Sequence, residues 1–407
     1  MKRFVLFFLL CYSSSVAEPL NLTVHADKAV LINGKTGTIL FEKEAFTPAY
    51  PASTTKIATA IYALHCKGEQ LDHVVSVKAE ALASISPQAK RDSNYRSPPH
   101  WLETDGSHIS LKRGEELTLN QLLHALLISS ANDAANTIAI STAGNVPKFM
   151  QEVNTYLKSI GCTQTEFNNP HGLHHPAHIT TAYDLALMAK VGLEHPKFRE
   201  IVGKVRHTCP KTNLEQERTF VQTNLLMRNG AYNYPKAIGV KTGGTQAAGK
   251  NLVAAAQDGD RLLIGVVLGC ESRSEVYQDM LKMFEAAFNQ TKMRRTLLPV
   301  GDRTLIRKVS SAQGKLKTIL PDGLYYDFFP AEDEPIKAEI RWMLPQLPIR
   351  KGTQIGSVCV VNERDMVIQE SPILAAADLR RAFWPWILIA VAVIISVVFI
   401  KQFKKGV

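Results

Sequence analysis

Residues 51–64 read PASTTKIATAIYAL, in which a Ser-x-x-Lys stretch runs directly into an apolar segment. The apolar segment predicts a buried helix, with Ser53 and Lys56 in its first turn. Positions three apart share one face of a helix, so the Ser53 hydroxyl and the Lys56 amine are expected to touch. A lysine activates a serine only as the neutral amine, which burial and a neighbouring cation both favour. The stretch predicts a serine nucleophile, although Ser-x-x-Lys alone occurs by chance in many helices.

A second polar stretch, ISSANDA, covers residues 128–134. Upstream of it, residues 118–121 (TLNQ) have the pattern of a capping box, which predicts that a helix begins there. We expect this helix to break at the polar stretch and a second helix to start near Asp133. Held between two apolar helices, Ser130 and Asn132 can present a hydroxyl and a carboxamide to a substrate. By themselves they fit an ordinary turn between helices equally well.

The triplet Lys-Thr-Gly occurs twice, at residues 35–37 and 241–243. The second copy is followed by apolar runs at residues 251–256 and 261–268, which predict an antiparallel sheet along whose edge an extended peptide can bind. The first copy follows an Asn-Gly pair and separates two short apolar runs, which is typical of a hairpin turn. We therefore interpret the first copy as a solvated turn and the second as the functional one.

Ser-x-x-Lys, a Ser-x-Asn type of box and Lys-Thr-Gly form the set shared by penicillin-binding proteins and class A β-lactamases. With FNNPHGL at residues 167–173 and AGKNLV at residues 248–253, they make residues 25–375 resemble the low-molecular-mass penicillin-binding proteins that are serine-type D-alanyl-D-alanine carboxypeptidases. The resemblance implies an α+β fold, with a β-lactamase/transpeptidase-like catalytic domain in which helices flank an antiparallel sheet. The catalytic Lys-Thr-Gly of that family comes last, which again favours residues 241–243.

The resemblance also implies how the reaction starts. Ser53 would attack the carbonyl between the last two D-alanines of a peptidoglycan stem pentapeptide, and Lys56 would accept its proton. The oxyanion would bind to the backbone N–H groups of Ser53 and Gly244, because such donors act on charge that appears in the transition state. Relatives often carry a larger residue where this chain has Gly244. Lys241 would help to keep Lys56 neutral.

The remaining roles concern the leaving group and the substrate's terminus. The resemblance implies that Ser130 passes a proton to the departing D-alanine and that Asn132 holds the peptide amide. The terminal carboxylate would bind at Lys241 and Thr242, with Gly243 completing the substrate-binding triplet. Penicillins and other β-lactams, which mimic the substrate, would act as covalent inhibitors.

Three other functions stay open at this point. A DD-endopeptidase acting on cross-links would use the same site. A class A-like β-lactamase adds a glutamate base, and Glu166 with Asn169 satisfies its Glu-x-x-Asn pattern, but the Asn-Pro-His-Gly-Leu continuation matches the carboxypeptidase loop. A non-catalytic wall-binding protein would tolerate the loss of Ser53 or Lys56, and both are present.

Neither a metal nor any other cofactor is predicted. Four histidines, at positions 171, 174, 175 and 178, lie in one loop without an HExxH pattern or an acidic ligand at a suitable offset, so we expect them to be solvated. The cysteines beyond the N-terminal segment are odd in number and widely spaced, which argues against a disulfide framework. They are Cys66, Cys162, Cys209, Cys270 and Cys359.

Both ends of the chain carry membrane-targeting patterns. Residues 1–17 combine two cations, an apolar run and small residues, the pattern of a secretory signal peptide. Residues 383–400 are apolar enough to predict a transmembrane anchor, and residues 401–407 a cytoplasmic tail. These features predict a single-pass protein of the bacterial cytoplasmic membrane whose catalytic domain lies outside the cytoplasm.

Between these ends the length predicts two domains. We expect the catalytic domain at residues 18–292 and a small β-sandwich at residues 293–379, where short alternating runs are separated by Pro and Gly. Residues 84–100 form an insertion that reads as a surface loop. The formal net charge of +10 favours an anionic surrounding such as cell wall or lipid headgroups, and no basic-aromatic module indicates nucleic acid.

Overall fold

The computed structural model describes residues 10–11, 17–301, 305–343, 345–362 and 365–403. The chain divides into two compact units, one spanning Pro19–Gln290 and the other combining Met1–Glu18 with Thr291–Val407. The helices are α1 Lys56–Lys67, α2 Pro87–Asp92, α3 Leu119–Ile128, α4 Asn132–Ala143, α5 Val146–Ser159, α6 Ala182–Glu194, α7 Pro196–Val202, α8 Arg273–Phe288 and α9 Trp384–Phe403.

The strands follow the short alternating and apolar runs of the sequence. They are β1 Leu10–Cys11, β2 Lys28–Asn33, β3 Ile39–Lys43, β4 Val74–Ser76, β5 Ser84–Ile85, β6 Leu102–Glu103, β7 Glu116–Thr118, β8 Arg206–Cys209, β9 Arg218–Val221, β10 Ala237–Thr245, β11 Gly249–Asp258, β12 Arg261–Cys270, β13 Met293–Leu298, β14 Ile306–Lys308, β15 Lys315–Ile319, β16 Leu324–Phe328, β17 Ile336–Trp342, β18 Gln354–Asn362 and β19 Val367–Ala375.

An antiparallel five-stranded sheet forms the centre of the unit Pro19–Gln290, in the order β10-β11-β12-β2-β3. Helix α8 packs on β11 and β12, while α6 packs on β12 and β2. Buried residues are nearly continuous along β12, as expected for a strand covered by other elements on both faces. Strand β10, which carries the second Lys-Thr-Gly, lies at the edge of the sheet. The predicted α+β class and the edge position of this triplet are confirmed.

The first Lys-Thr-Gly is a turn between β2 and β3, as predicted. The Asn33 side chain accepts hydrogen bonds from the backbone N–H groups of Lys35 and Thr36, at 2.8 and 3.0 Å. Gly37 has φ +80°, whereas Gly34 is not left-handed. Gly34 is required for space instead, because a Cβ there would lie 2.5 Å from the Leu262 side chain.

A helical layer built around α1 packs against this sheet. Every residue of α1 from Lys56 to Leu64 is buried, so this is a core helix. Helix α3 begins with the predicted capping box, in which Thr118 and Gln121 each accept from the other's backbone N–H. The break that follows is also observed, with Ser130 in the left-handed region at φ +63° and α4 beginning at Asn132.

The insertion at residues 84–100 lies at the surface, as the sequence analysis expected, but it contains a short strand and a helix and is not simply a loop. Strand β5 pairs with β6, and α2 follows because Ser86 caps it and Pro87 occupies its first turn. Lys90 of α2 is almost completely buried, with its Nζ 2.8 Å from Glu103 Oε1. The ion pair allows a lysine to be buried here, which the polar composition of the segment did not indicate.

The second unit is rich in β structure, as its alternating pattern predicts. Its sheets have the orders β1-β17-β18-β19-β15-β14 and β13-β16. One apolar core contains residues from both sheets, including Leu298, Leu324, Val358 and Ile373.

The predicted targeting segments are described in part. Of the predicted signal peptide 1–17, only residues 10, 11 and 17 lie inside the described ranges, and residues 404–407 of the predicted tail lie outside them. The apolar stretch 383–400 falls on α9, whose described apolar side chains from Ile387 to Ile400 are exposed. In the portion of the chain covered by the structure, no helix meets the length and hydropathy of a membrane span.

Candidate active site

Ser53 lies in a 3-10 turn, Ala52–Thr55, that leads directly into α1. The turn begins with Ala52 at φ +50°, a left-handed conformation that is strained for a residue with a side chain. Two side chains stabilise it locally, since Thr54 Oγ1 donates to the Pro51 carbonyl at 2.8 Å and Thr55 Oγ1 to the Ala52 carbonyl at 2.9 Å. The strained turn leaves Ser53 partly exposed beside buried neighbours.

The Lys56 side chain is completely buried and contacts three oxygen atoms. Its Nζ lies 3.0 Å from Ser53 Oγ, 2.7 Å from Asn132 Oδ1 and 2.7 Å from the His171 carbonyl oxygen. Burial holds the pKa of Lys56 well below its ordinary value; the nearby positive charge of Lys241 lowers it further, and Asp133 opposes both.

The three contacts of Lys56 orient its lone pair. A neutral amine has two N–H groups and one lone pair, while a carboxamide oxygen and a backbone carbonyl can only accept. When Lys56 is neutral, its two N–H groups donate to Asn132 Oδ1 and to the His171 carbonyl. The third tetrahedral direction then holds the lone pair, which faces the Ser53 hydroxyl and can accept its proton.

The turn between α3 and α4 brings Ser130 to the cavity beside Ser53 and Asn132 to Lys56. The Asn132 backbone N–H donates to the Ser107 carbonyl at 2.8 Å. The buried Asp133 carboxylate accepts from the backbone N–H groups of Ile109 and Leu111, at 3.2 and 3.0 Å. These bonds tie the preceding loop to α4 and thereby fix the position of Asn132.

The edge strand β10 closely approaches the turn Ala52–Thr55, which is called the nucleophile turn below. A Cβ at Gly243 would lie 2.8 Å from the Pro51 carbonyl oxygen and 3.1 Å from the Ser53 nitrogen, so only glycine fits at this position. Thr242 Oγ1 lies 2.7 Å from Thr223 Oγ1. The second Lys-Thr-Gly and Ser53 are therefore brought together as predicted.

Lys241 is completely buried, and its Nζ donates to the Thr242 carbonyl at 3.0 Å. Burial lowers its pKa to about 7. The sequence analysis expected this lysine to receive the substrate's carboxylate, but its side chain is not among those that line the cavity beside Ser53. On β10, Lys241 shares a face with Gly243, the face that meets the turn carrying Ser53, whereas Thr242 lies on the other face.

Two segments that the sequence analysis left without a role support the nucleophile turn. From β11, Asn251 Nδ2 donates to the carbonyls of Tyr50 and Pro51, at 2.9 and 3.1 Å. From the loop at residues 168–173, Gly172 packs against the turn so closely that a Cβ would lie 1.9 Å from the Ala52 oxygen. The sequence motifs FNNPHGL and AGKNLV include these two segments. Only the long-range contacts show that both segments stabilise the nucleophile turn.

The loop histidines are not all solvated, which corrects the sequence-based expectation. His171 and His178 are buried, while His174 and His175 are partly exposed. His178 Nδ1 accepts from the Asn168 N–H, so its Nε2 carries the proton toward Thr55 Oγ1, 2.8 Å away. Burial is the main reason why the pKa of His178 falls to about 3. Within the described ranges, no group of three His, Cys, Asp or Glu residues is placed to hold a metal ion.

A cavity of about 350 Å³ opens beside Ser53. Of the described residues lining it, none is Asp or Glu, and two exposed residues, Lys250 and Arg273, are cationic. Neither cation was given a role from the sequence, although Lys250 belongs to the AGKNLV motif. The lining residues are Ser53, Ser107, Ser130, Thr223, Thr242, Gly243, Gly244, Lys250, Asn251, Arg273, Val276 and Tyr277.

Comparison with known proteins gives one consistent result. Residues 13–272 match the family model Peptidase_S11, described as D-alanyl-D-alanine carboxypeptidase. The chain is similar to D-alanyl-D-alanine carboxypeptidase DacF of Bacillus subtilis, with 31% identity over 368 residues, 89% of this chain and 87% of the relative. It is also similar to D-alanyl-D-alanine carboxypeptidase DacC of Escherichia coli, with 28% identity over 375 residues, 86% of this chain and 84% of the relative.

Solved structures show the same likeness. D-alanyl-D-alanine carboxypeptidase DacD from Francisella tularensis superposes with a TM-score of 0.59 at 21% identity, covering 91% of this chain and 98% of that one, which supports the fold alone. The Streptomyces K15 DD-transpeptidase gives a TM-score of 0.56 at 29% identity, covering 66% of this chain and 98% of that one.

Proposed function

The chain belongs to the S11 peptidase family of D-alanyl-D-alanine carboxypeptidases, and we propose that Ser53 carries the reaction of that family here. The substrate is a peptidoglycan stem pentapeptide ending in D-Ala-D-Ala. The enzyme cleaves the last peptide bond, passes through an acyl-enzyme on Ser53 and releases the terminal D-alanine.

Acylation begins with proton transfer from Ser53 Oγ to the Lys56 lone pair as the oxygen attacks the carbonyl of the penultimate D-alanine. The 3.0 Å contact between the two side chains supports these roles, as does the burial of the amine, which lowers the pKa of Lys56. The oxyanion binds to the backbone N–H groups of Ser53 and Gly244. The close approach of β10 to the nucleophile turn at Gly243 supports this arrangement.

Collapse of the tetrahedral intermediate requires a proton on the departing nitrogen. Ser130 relays it from Lys56, and the position of Ser130 on the cavity wall beside Ser53 supports this role. Asn132 orients the Lys56 amine, because its Oδ1 accepts a hydrogen bond from Lys56 Nζ. Water then attacks the acyl-enzyme ester and frees the shortened peptide and Ser53.

The terminal carboxylate binds on the Thr242 side of the cavity. Lys241 acts on it at a distance, since its side chain is buried, and its positive charge also lowers the pKa of Lys56. Arg273 at the beginning of α8 lines the same cavity and adds a mobile cation. β-Lactams, whose carboxylate and amide resemble those of the substrate, acylate Ser53 at the same site.

The enzyme is exported by residues 1–17 and held in the bacterial cytoplasmic membrane by the apolar stretch 383–400. The apolar sequence of residues 383–400 supports this anchor, even though no helix among the described residues meets the length and hydropathy of a membrane span. The described side chains of α9 support the proposal, since Ile387, Ile394 and Ile400 are 58, 61 and 59% exposed. The catalytic unit then lies outside the cytoplasm, where stem peptides are.

The observation that carries the proposed chemistry is the buried Lys56 amine, with two acceptors besides Ser53 Oγ. To test it, the purified chain is offered a D-Ala-D-Ala pentapeptide and a cross-linked dimer, and released D-alanine is measured. We expect release from the pentapeptide and covalent labelling by a fluorescent penicillin. Ser53→Ala should abolish both without changing the unfolding midpoint. Labelling that persists in Ser53→Ala would contradict the proposal.

A DD-endopeptidase uses the same residues and is the alternative that this assay resolves, because it would cleave the dimer. The β-lactamase alternative is disfavoured by the position of Glu166. Its carboxylate accepts from Asn154 Nδ2 at 2.7 Å and lines a different cavity from the one beside Ser53. It is not placed to direct water onto an acyl group on Ser53.

A further inference from the structure

The cavity beside Ser53 has two cationic side chains, of which Lys250 has no assigned role. Lys250 lies on β11, directly opposite Gly244 of β10 in the antiparallel register. It is exposed, and within the described part of the chain it forms no ion pair. An exposed cation without an acidic partner at the rim of a substrate cavity is available to an anionic ligand.

Gly244 makes the position of Lys250 possible. A Cβ at residue 244 would lie 3.5 Å from Lys250 Cδ and 3.9 Å from Lys250 Nζ, so the lysine side chain folds across the glycine. A large side chain at 244 would occupy the space that the ammonium group now takes. The position of the Lys250 ammonium group therefore depends on the absence of a side chain at residue 244.

Lys250 faces the side of the strand that carries Thr242. Side chains two residues apart on a strand share a face, so Thr242 and Gly244 do, and Lys250 shares it as the partner of Gly244. Diagonal neighbours across a strand pair lie about 7–8 Å apart, which is within reach of a lysine with its four-carbon stem. The ammonium group can thus reach an anion bound at Thr242.

We infer that Lys250 binds the α-carboxylate of the leaving amino acid and selects substrates in which that carboxylate is free. This inference rests on the proposed function, which places the substrate's terminus at Thr242. It adds a cationic contact from β11 to the one that Thr242 makes from β10. Peptides whose leaving residue is amidated form the class that Lys250 discriminates against.

The test compares two N-acylated D-Ala-D-Ala peptides, one with a free terminal carboxylate and one with a terminal amide. For each, kcat/KM is measured with the full chain and with Lys250→Gln. We expect Lys250→Gln to lower kcat/KM for the acid about tenfold and to leave the amide unchanged, because the lost contact is a hydrogen bond to a charged group. Lys250→Arg should retain most of the preference for the acid.

The matched control is Lys211→Gln, which removes one exposed lysine outside the cavity and should change neither substrate. An equal loss for acid and amide, or no loss for either, would overturn the inference, as would loss of the preference in Arg273→Gln alone. If the unmodified chain releases no D-alanine from the acid, the proposed function itself has failed. Release that is insensitive to Lys250→Gln would refute the inference alone.

Discussion

Lys56 meets two demands that conflict in water, because it must be neutral at the pH of the cell wall and still accept a proton. Complete burial satisfies the first demand by lowering the pKa of the amine, and Lys241 lowers it further. The two acceptors on Asn132 and His171 satisfy the second by orienting the lone pair. The reactivity of Ser53 thus depends on groups around Lys56 as well as on Lys56 itself.

Replacing Lys241 by methionine should move the acid limb of the pH profile to higher pH. Acylation needs neutral Lys56, so its rate falls as the pH drops through the pKa of Lys56. The positive charge of Lys241 lowers that pKa, and the substitution removes the charge, so the pKa rises. The rate of acylation by benzylpenicillin, measured across pH, reports the limb directly.

The control for this profile is Lys211→Met, which removes a positive charge outside the cavity and should leave the limb in place. A limb that stays fixed or moves to lower pH in Lys241→Met would show that the two lysines are not electrostatically linked. The overall rate at the plateau is expected to fall in Lys241→Met, so only the midpoint of the limb decides.

At the scale of elements, the nucleophile turn is held by its neighbours more than by its own sequence. The loop at residues 168–173 supplies the His171 carbonyl to Lys56 and the Pro170 carbonyl to Thr59, the latter at 2.6 Å. Strand β11 contributes the Asn251 bonds from the other side. Ser53 therefore sits between a loop and a sheet edge that both contact backbone atoms of its turn.

Gly172→Ala should remove activity through this contact. The new Cβ would lie 1.9 Å from the Ala52 oxygen, so the nucleophile turn must shift. Because a misplacement of about 1 Å can reduce a rate about a hundredfold, we expect acylation by a fluorescent penicillin to slow by at least that factor. Labelling kinetics and the unfolding midpoint are measured together.

Gly144→Ala is the matched control, since Gly144 has φ +91° against +88° for Gly172 and no atom within 4 Å of a Cβ. Both variants should lose about 1–2 kcal/mol of stability from the left-handed backbone. Only Gly172→Ala should lose acylation. Equal acylation rates in the two variants would show that the loop does not position the nucleophile.

On the scale of the whole molecule, the proposed catalytic residues all belong to the unit Pro19–Gln290, while the proposed anchor belongs to the other unit. The second unit has its own apolar core, which includes Leu316, Leu324 and Ile355. No residue of the described cavity beside Ser53 comes from it. The proposed catalytic site and the proposed anchor thus lie in different units of the chain.

A chain that ends at residue 382 should therefore leave the membrane fraction and keep its activity. The exposed apolar side chains of α9 are removed, so the hydrophobic free energy that favours the membrane is lost. Sedimentation of bacterial membranes, followed by labelling with a fluorescent penicillin, separates the two effects. A truncated chain that still sediments with membranes would contradict the proposed anchor.

Several features followed from the sequence because they depend on local order. The helix after Ser53, the capping box at Thr118 and the turn at residues 35–37 are encoded by residues that are neighbours along the chain. The order of the three boxes predicted the family and the α+β fold. The strand of the second Lys-Thr-Gly was expected at a sheet edge, and β10 lies there.

Burial and long-range partners were decided only by the tertiary structure. Lys56 finds its two acceptors 76 and 115 residues away, and no local pattern records such contacts. His178 was expected in solvent but is buried against Thr55, and Lys241 is completely buried, which its residue type did not indicate. The register of β10 and β11, which pairs Lys250 with Gly244, places Lys250 beside the cavity. In each case packing between distant segments determines the chemistry, because burial and charge depend on every atom nearby and not on sequence neighbours.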